Sequence, residues 1–192
     1  EHPASDWRSL AKLLVGLCLR GYVNFATLVF VVLYEEDGRD RSHGYAIVVF
    51  ALMLTAGVVA TLAAGPIADR RGPRRTMLWM SAPVPVLIAV YAVDGSPLGA
   101  ACVIIAGGLV VGTFGISTVL AQSYLPGRVA LASGLSIGFS IGVGGLLSLV
   151  MGKVAGVWGF GVAFGSAAAV GVLALLALFA LPKDRIRVDR IG

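Results

Sequence analysis

The chain has 192 residues, 58% of them hydrophobic and only 13% charged, with a formal net charge of +5 and a mean hydropathy of +0.92. Soluble domains carry roughly 25% charged residues, so a core folded in water would leave too little polar surface to cover it. The composition excludes an ordinary soluble enzyme or binding domain and predicts an all-α integral membrane protein.

Six apolar runs follow one another, at 10–34, 45–67, 76–93, 98–121, 129–150 and 160–181. Each is long enough to cross a hydrocarbon core of about 30 Å at about 1.5 Å per helical residue. Together they predict a single six-helix membrane domain over 1–192, with a charged cytoplasmic tail at 182–192 and no room for a soluble catalytic domain. The polar start, Glu1–Ser9, offers Trp7 and Arg8 to the membrane interface. After the first run, Glu35–Arg41 reads as a long polar loop. Pro83 and Pro85 fall inside the third run, where they remove backbone donors and predict a kink. Asp94-Gly95-Ser96-Pro97 is a turn signal, and Leu125-Pro126-Gly127-Arg128 makes a second short turn. Lys153–Trp158 is the weakest boundary, being nearly as apolar as its neighbours, and Pro182 ends the last run.

Mapped onto six crossings, the charges separate. Arg8, Lys12, Arg70, Arg71, Arg74, Arg75, Arg128, Lys183, Arg185, Arg187 and Arg190 fall on one side, while only Arg39, Arg41 and Lys153 fall on the other, with Glu35, Glu36, Asp37, Asp40 and Asp94. Positive charge stays in the cytoplasm, so both termini are expected there, in a plasma (inner) membrane. The basic clusters read as topology signals and lipid-headgroup contacts, with no nucleic acid as partner. Cys18 and Cys102 lie within apolar runs without metal-ligand spacing and read as small buried hydrophobes, and no cofactor is indicated. The chain starts at Glu1 rather than a methionine, and the simplest expectation is a fragment, or one half of a larger protein.

Arg20 sits near the middle of the first run, where insertion scales put a central arginine at about 2.5–3.5 kcal/mol. Asn24 and Thr27 follow at helical spacing and share its face. Three roles are open to Arg20: lining a cavity for an anionic or polar substrate, snorkelling to the interface, or serving carbonyls at a helix end. The cavity wall is the reading taken, with Thr113 and Ser117 of the fourth run as further candidates. All ten acidic residues fall in loops or at helix ends. No carboxylate is therefore available at depth for a proton carrier or an aspartyl protease, and neither His2 nor His43 is placed to serve a serine nucleophile.

Glycine is abundant, at 26 residues. In the fifth run Gly134, Gly138 and Gly142 recur every fourth position, and Ser136, Ser140, Gly144 and Ser148 make a second small stripe beside them. Small residues let helices approach closely in lipid. The stripes read either as a static seam or as a surface on which helices rock.

Gly65-Pro66-Ile67-Ala68-Asp69-Arg70-Arg71-Gly72-Pro73-Arg74-Arg75 joins the second and third runs. Its pattern of glycine, three residues, Asp-Arg, one residue, glycine and a basic pair resembles the loop signature of the major facilitator superfamily, at Gly65, Asp69, Arg70, Gly72, Arg74 and Arg75. Pro73 stands where the family often has its first arginine. The resemblance implies an inner gate, with the glycine allowing close packing at the helix end and the aspartate accepting hydrogen bonds from a neighbouring helix N-terminus. A second stretch, Ala121-Gln122-Ser123-Tyr124-Leu125-Pro126-Gly127-Arg128-Val129 with Ser133-Gly134-Leu135, is similar to the C-terminal half of fosmidomycin-resistance-type efflux transporters, as is Arg20-Gly21-Tyr22 leading into Phe25. Ser123 departs from the acidic residue usual after the glutamine, and the fourth run lacks the embedded arginine common in the N-terminal half.

The resemblance implies the C-terminal six-helix half of a twelve-helix transporter, working by alternating access to export a small organic molecule. Its partners would be the lipid bilayer, a small-molecule substrate and a missing N-terminal six-helix half. Gln122, Pro126, Gly127 and Arg128 would shape the second inner turn. Two other readings stay open on the residues alone: a self-contained six-helix channel or carrier acting as a homodimer, and a membrane enzyme.

Overall fold

A computed structural model of the chain describes residues 6–181. Among these residues there are helices and no strands, and six stretches are long and apolar enough to cross a membrane. The first is α1 (Trp7–Leu33), opened by Asp6, whose carboxylate accepts from the Ser9 backbone N–H at 3.0 Å. A capped start of this kind satisfies one of the donors a helix leaves unpaired. The second is α2 (His43–Arg71), which begins at a Ser42 cap and accommodates Pro66 in its interior. Gly72 ends α2 at φ 87°, a backbone state that costs glycine nothing, and Pro73 then occupies the first turn of α3 (Pro73–Ser81), where its missing N–H does no harm. The third crossing breaks at Ala82–Pro83 and resumes as α4 (Val84–Val93), where the two prolines withdraw their donors.

Ser96 caps α5 (Pro97–Tyr124), the fourth crossing. The fifth comprises α6 (Val129–Gly138), a π-helical turn at Phe139–Val143, and α7 (Gly144–Trp158). The last is α8 (Phe160–Phe179). The expected charged tail at 182–192 lies outside the described residues.

Two segments run on past where their polarity suggests a stop. After α1 the chain continues as a π-helical turn, Tyr34–Gly38, in place of an open loop from Glu35. The reason is tertiary. Glu35 is buried and accepts from Arg39 Nη1 at 3.0 Å, so its charge is matched where the helix would otherwise have ended. Likewise α7 carries through Lys153 to Trp158, and the chain turns only at Gly159, again at φ 87°.

The first and fourth crossings are the most buried and the second and fifth the least. Two apolar clusters fill the bundle. One gathers Tyr22, Val23, Met53, Ile88, Tyr91, Val103, Val110 and Phe164, and the other Leu10, Leu13, Leu17, Met77, Ile116, Leu120 and Leu178. Residues 17 and 22 of α1, and 110 and 116 of α5, bracket the junction of the clusters, and Arg20 and Thr113 fall within it.

Candidate functional site

Arg20 is 5% exposed. Its Nη1 donates to the Val110 carbonyl at 2.8 Å and to Thr113 Oγ1 at 3.0 Å, and its guanidinium carbon is 5.8 Å from the centre of the Phe114 ring. Thr113 Oγ1 in turn donates to the same carbonyl at 2.9 Å. One charged group thus holds two transmembrane helices together through a carbonyl and a hydroxyl. Charge-assisted bonds of this kind are the stronger class, and in hydrocarbon no water competes for them. Arg20 does not snorkel. Its carbonyl partner lies within α5 rather than at a helix end. Arg20 Nε is buried without a hydrogen-bond partner among the described residues. It borders a cavity of about 20 Å³ against Ser81, Val84, Pro85 and Gly171, inside the bundle between α1, α4, α5 and α8.

The other residues read as a cavity wall divide. Thr27 is buried, and its hydroxyl donates to the Val23 and Asn24 carbonyls of its own helix at 3.1 and 3.0 Å. Ser117 is buried and donates to the Phe114 carbonyl at 2.6 Å. Asn24 is half-buried, and its side chain makes no hydrogen bond among the described residues. The structure therefore joins Arg20 to Thr113, turns Thr27 and Ser117 onto their own backbones, and leaves Asn24 with an uncommitted amide.

At the α2–α3 turn, Asp69 and Arg70 are exposed and have no ion pair or hydrogen bond among the described residues. Gly65 shows no close packing among the described residues, since a Cβ there would meet none of their atoms within 4 Å. The helix is open on that side, and the expected contact has no counterpart among the described residues. Asp69, Gly65, Gly112 and Gly115 border a recess of about 160 Å³ between α2 and α5. Arg74 crosses to α8, where Nη2 donates to the Phe179 carbonyl at 3.0 Å, and a cation at a helix C-terminus also meets the dipole favourably. Arg75 is exposed. In the second turn, Gly127 takes φ 87°, the Arg128 N–H donates to the Leu125 carbonyl, and Gln122 Nε2 donates to Ser133 Oγ at 2.8 Å. Pro126 is half-buried there. Gln122 thereby braces α5 against α6.

The two small stripes of the fifth crossing behave differently. Ser136, Ser140 and Gly144 are buried, and a Cβ on Gly21 would fall 3.1 Å from Gly144 Cα. Gly134, Gly138 and Gly142 face away, with nothing among the described residues within 4 Å of a Cβ on any of them.

A constellation the sequence did not reveal lies at the opposite end. The Arg39 guanidinium sits 4.4 Å from the ring centres of both Tyr34 and Tyr91. It pairs with Glu35 and donates through Nη2 to the Asp94 carbonyl at 2.8 Å and also to the Tyr91 carbonyl. Phe160 and Phe164 stack on Tyr34, with centroids 5.8 and 5.2 Å away. Tyr34 donates its hydroxyl to the Ala92 carbonyl at 2.9 Å. The four-residue spacing of Glu35 and Arg39 would mark a pair once the segment is helical, but the tyrosines come together only through tertiary packing.

No family model matches the sequence. The chain is 28% identical over 159 residues to the uncharacterized MFS-type transporter YfnC of Bacillus subtilis (strain 168), covering 81% of this chain and 38% of that protein. It is 32% identical over 136 residues to the fosmidomycin resistance protein of Escherichia coli (strain K12), covering 69% of this chain and 32% of that protein. The chain thus spans about a third of the length of the curated relatives it matches. With six helices long and apolar enough to span a membrane, it is homologous to part of these transporters and consistent with a fragment of a major facilitator superfamily protein, half of whose fold its helices match.

Proposed function

We propose that this chain is the C-terminal six-helix half of a secondary active transporter that exports a small molecule by alternating access. The observation that carries the reading is the match to transporters over only about a third of their length, by a chain that itself supplies six membrane-spanning helices. The open faces support it. Gly134, Gly138 and Gly142 present a smooth surface with no neighbour among the described residues, and Asp69 and Gly65 border an open recess. A second six-helix half would supply both with contacts.

In this reading Gly65, Asp69, Arg70, Gly72, Arg74 and Arg75 form the inner gate, Gln122, Pro126, Gly127 and Arg128 shape the turn beside it, and both chain ends are cytoplasmic. Asn24 is the direct substrate contact. Arg20, with Thr113, positions α1 against α5, and Thr27 and Ser117 complete the wall behind them.

The test uses full-length transporter carrying this chain, reconstituted in proteoliposomes. Asp69→Asn should slow flux without lowering membrane insertion, and Asn24→Ala should raise KM with kcat little changed. Unaltered kinetics in both variants would remove the gate and the substrate contact. Flux by the isolated chain, with a dimeric mass in detergent, would overturn the half-transporter reading.

A further inference from the structure

On the outer surface of the bundle, where α2 gives way to α3, lies a groove of about 870 Å³. Arg71 and Arg75 line it together with Trp79, Met80, Leu109 and Phe179. No acidic residue lines it among the described residues. Trp79 is 71% exposed and Phe179 57%, so the apolar length is open to the surroundings. The Arg71 guanidinium carbon lies 5.0 Å from the Trp79 ring centre, which orients the charge over the groove. Arg74, between the two, is committed to the Phe179 carbonyl. Arg71 and Arg75 make no ion pair or hydrogen bond among the described residues.

We propose that this groove binds an anionic phospholipid, its phosphate held by Arg71 and Arg75 and one acyl chain laid along Trp79, Met80, Leu109 and Phe179. The charge selects the headgroup, because an uncharged lipid would leave two arginines unmatched. The volume and apolar lining select a lipid over a free anion, which would meet only the arginines and leave the apolar walls uncovered. Basic pockets between membrane helices recognise anionic headgroups in this way, and a tryptophan beside an arginine-rich turn suits the interface. The inference rests on membrane insertion and not on transport.

The experiment uses the chain in phosphatidylcholine vesicles with Trp7→Phe and Trp158→Phe, so that Trp79 is the reporter. Brominated-chain phosphatidylglycerol or brominated phosphatidylcholine is titrated in at equal mole fraction, and quenching of Trp79 is read. Phosphatidylglycerol should bind about 25-fold more tightly, taking roughly fivefold for each arginine. Arg71→Gln with Arg75→Gln should abolish that preference, while Arg70→Gln, outside the groove, should keep it. If the double variant fails to insert, Arg75→Gln alone should lower the preference about fivefold. Equal quenching by both lipids would overturn the proposal, as would a preference that survives both the double and the single substitution. Relief of quenching by millimolar glycerol phosphate or inorganic phosphate would also overturn it, by assigning the arginines to a soluble anion.

Discussion

Gly21 of α1 and Gly144 of α7 meet backbone to backbone. A Cβ on Gly144 would fall 2.8 Å from the Gly21 carbonyl carbon, and one on Gly21 would fall 2.4 Å from the Ser140 carbonyl oxygen. Neither neighbour is a side chain that can swing away. Gly21→Ala or Gly144→Ala should therefore push the helices apart and cost about 1–3 kcal/mol. Gly134→Ala, with nothing nearby, should be neutral or gain up to about 1 kcal/mol in helix propensity. Thermal unfolding of the isolated chain in detergent compares the three. Equal losses at all three positions would mean that the seam does not run along Gly21 and Gly144.

Thr113→Val keeps the shape of the side chain and removes one of the two acceptors that hold Arg20 Nη1. The arginine stays buried and charged, so the loss should be about 1 kcal/mol, within the range for interhelical bonds in membranes. Ser117→Ala, one turn on, deletes only a bond to its own helix and should cost less. Unfolding equilibria in mixed micelles resolve the difference, and a larger loss at Ser117 would contradict the Arg20–Thr113 link.

Arg39→Met should destabilise the chain more than Arg39→Met combined with Glu35→Gln. The single change strands a buried carboxylate, with a loss of about 3–5 kcal/mol for a broken buried pair, whereas the double change neutralises both members. The same unfolding assay reads it. A double variant weaker than the single would show that Glu35 does not depend on Arg39.

Asp94 lies between the third and fourth crossings, and its carboxyl is held below its ordinary value, first by the Ser96 backbone N–H and then by the Ser96 hydroxyl. These donate at 2.8 and 2.9 Å. A folded-state value below the unfolded one contributes stability above the unfolded pKa of about 3.9, lost as pH falls through the folded value. The melting temperature of Asp94→Asn should thus lie below that of the unaltered chain near neutral pH, and the gap should close below about pH 4. A gap that persists in acid would exclude the charge as its source.

The six crossings were legible because an uninterrupted apolar run of that length has few alternatives in a chain so poor in charge. Pro83 and Pro85 marked the broken third crossing for the same local reason, since each lacks a donor. Tyr34–Gly38 was not legible as helix. Its three acidic residues argue for a loop, and only the burial of Glu35 against Arg39 beside Tyr34 and Tyr91 carries the helix on. Arg20 announced itself by the cost of its position, but its partners stand 90 and 93 residues away, a separation that local pattern does not encode. Both small-residue stripes of the fifth crossing were visible as spacing. Which one packs inward was settled by Gly21, on another helix.

Arg39 fastens the π-helical end of α1 to the last carbonyls of α4, while Tyr34 adds a second tie to Ala92. The two helices are therefore stapled at one rim of the bundle. Any change in their mutual inclination must hinge at that rim, and the displacement grows with distance from it. The far end of α1, where Trp7 and Leu10 lie, would sweep the widest arc. The interruption at Ala82–Pro83 divides the third crossing, so α4 can keep station with the staple while α3 moves with the arginine-rich turn.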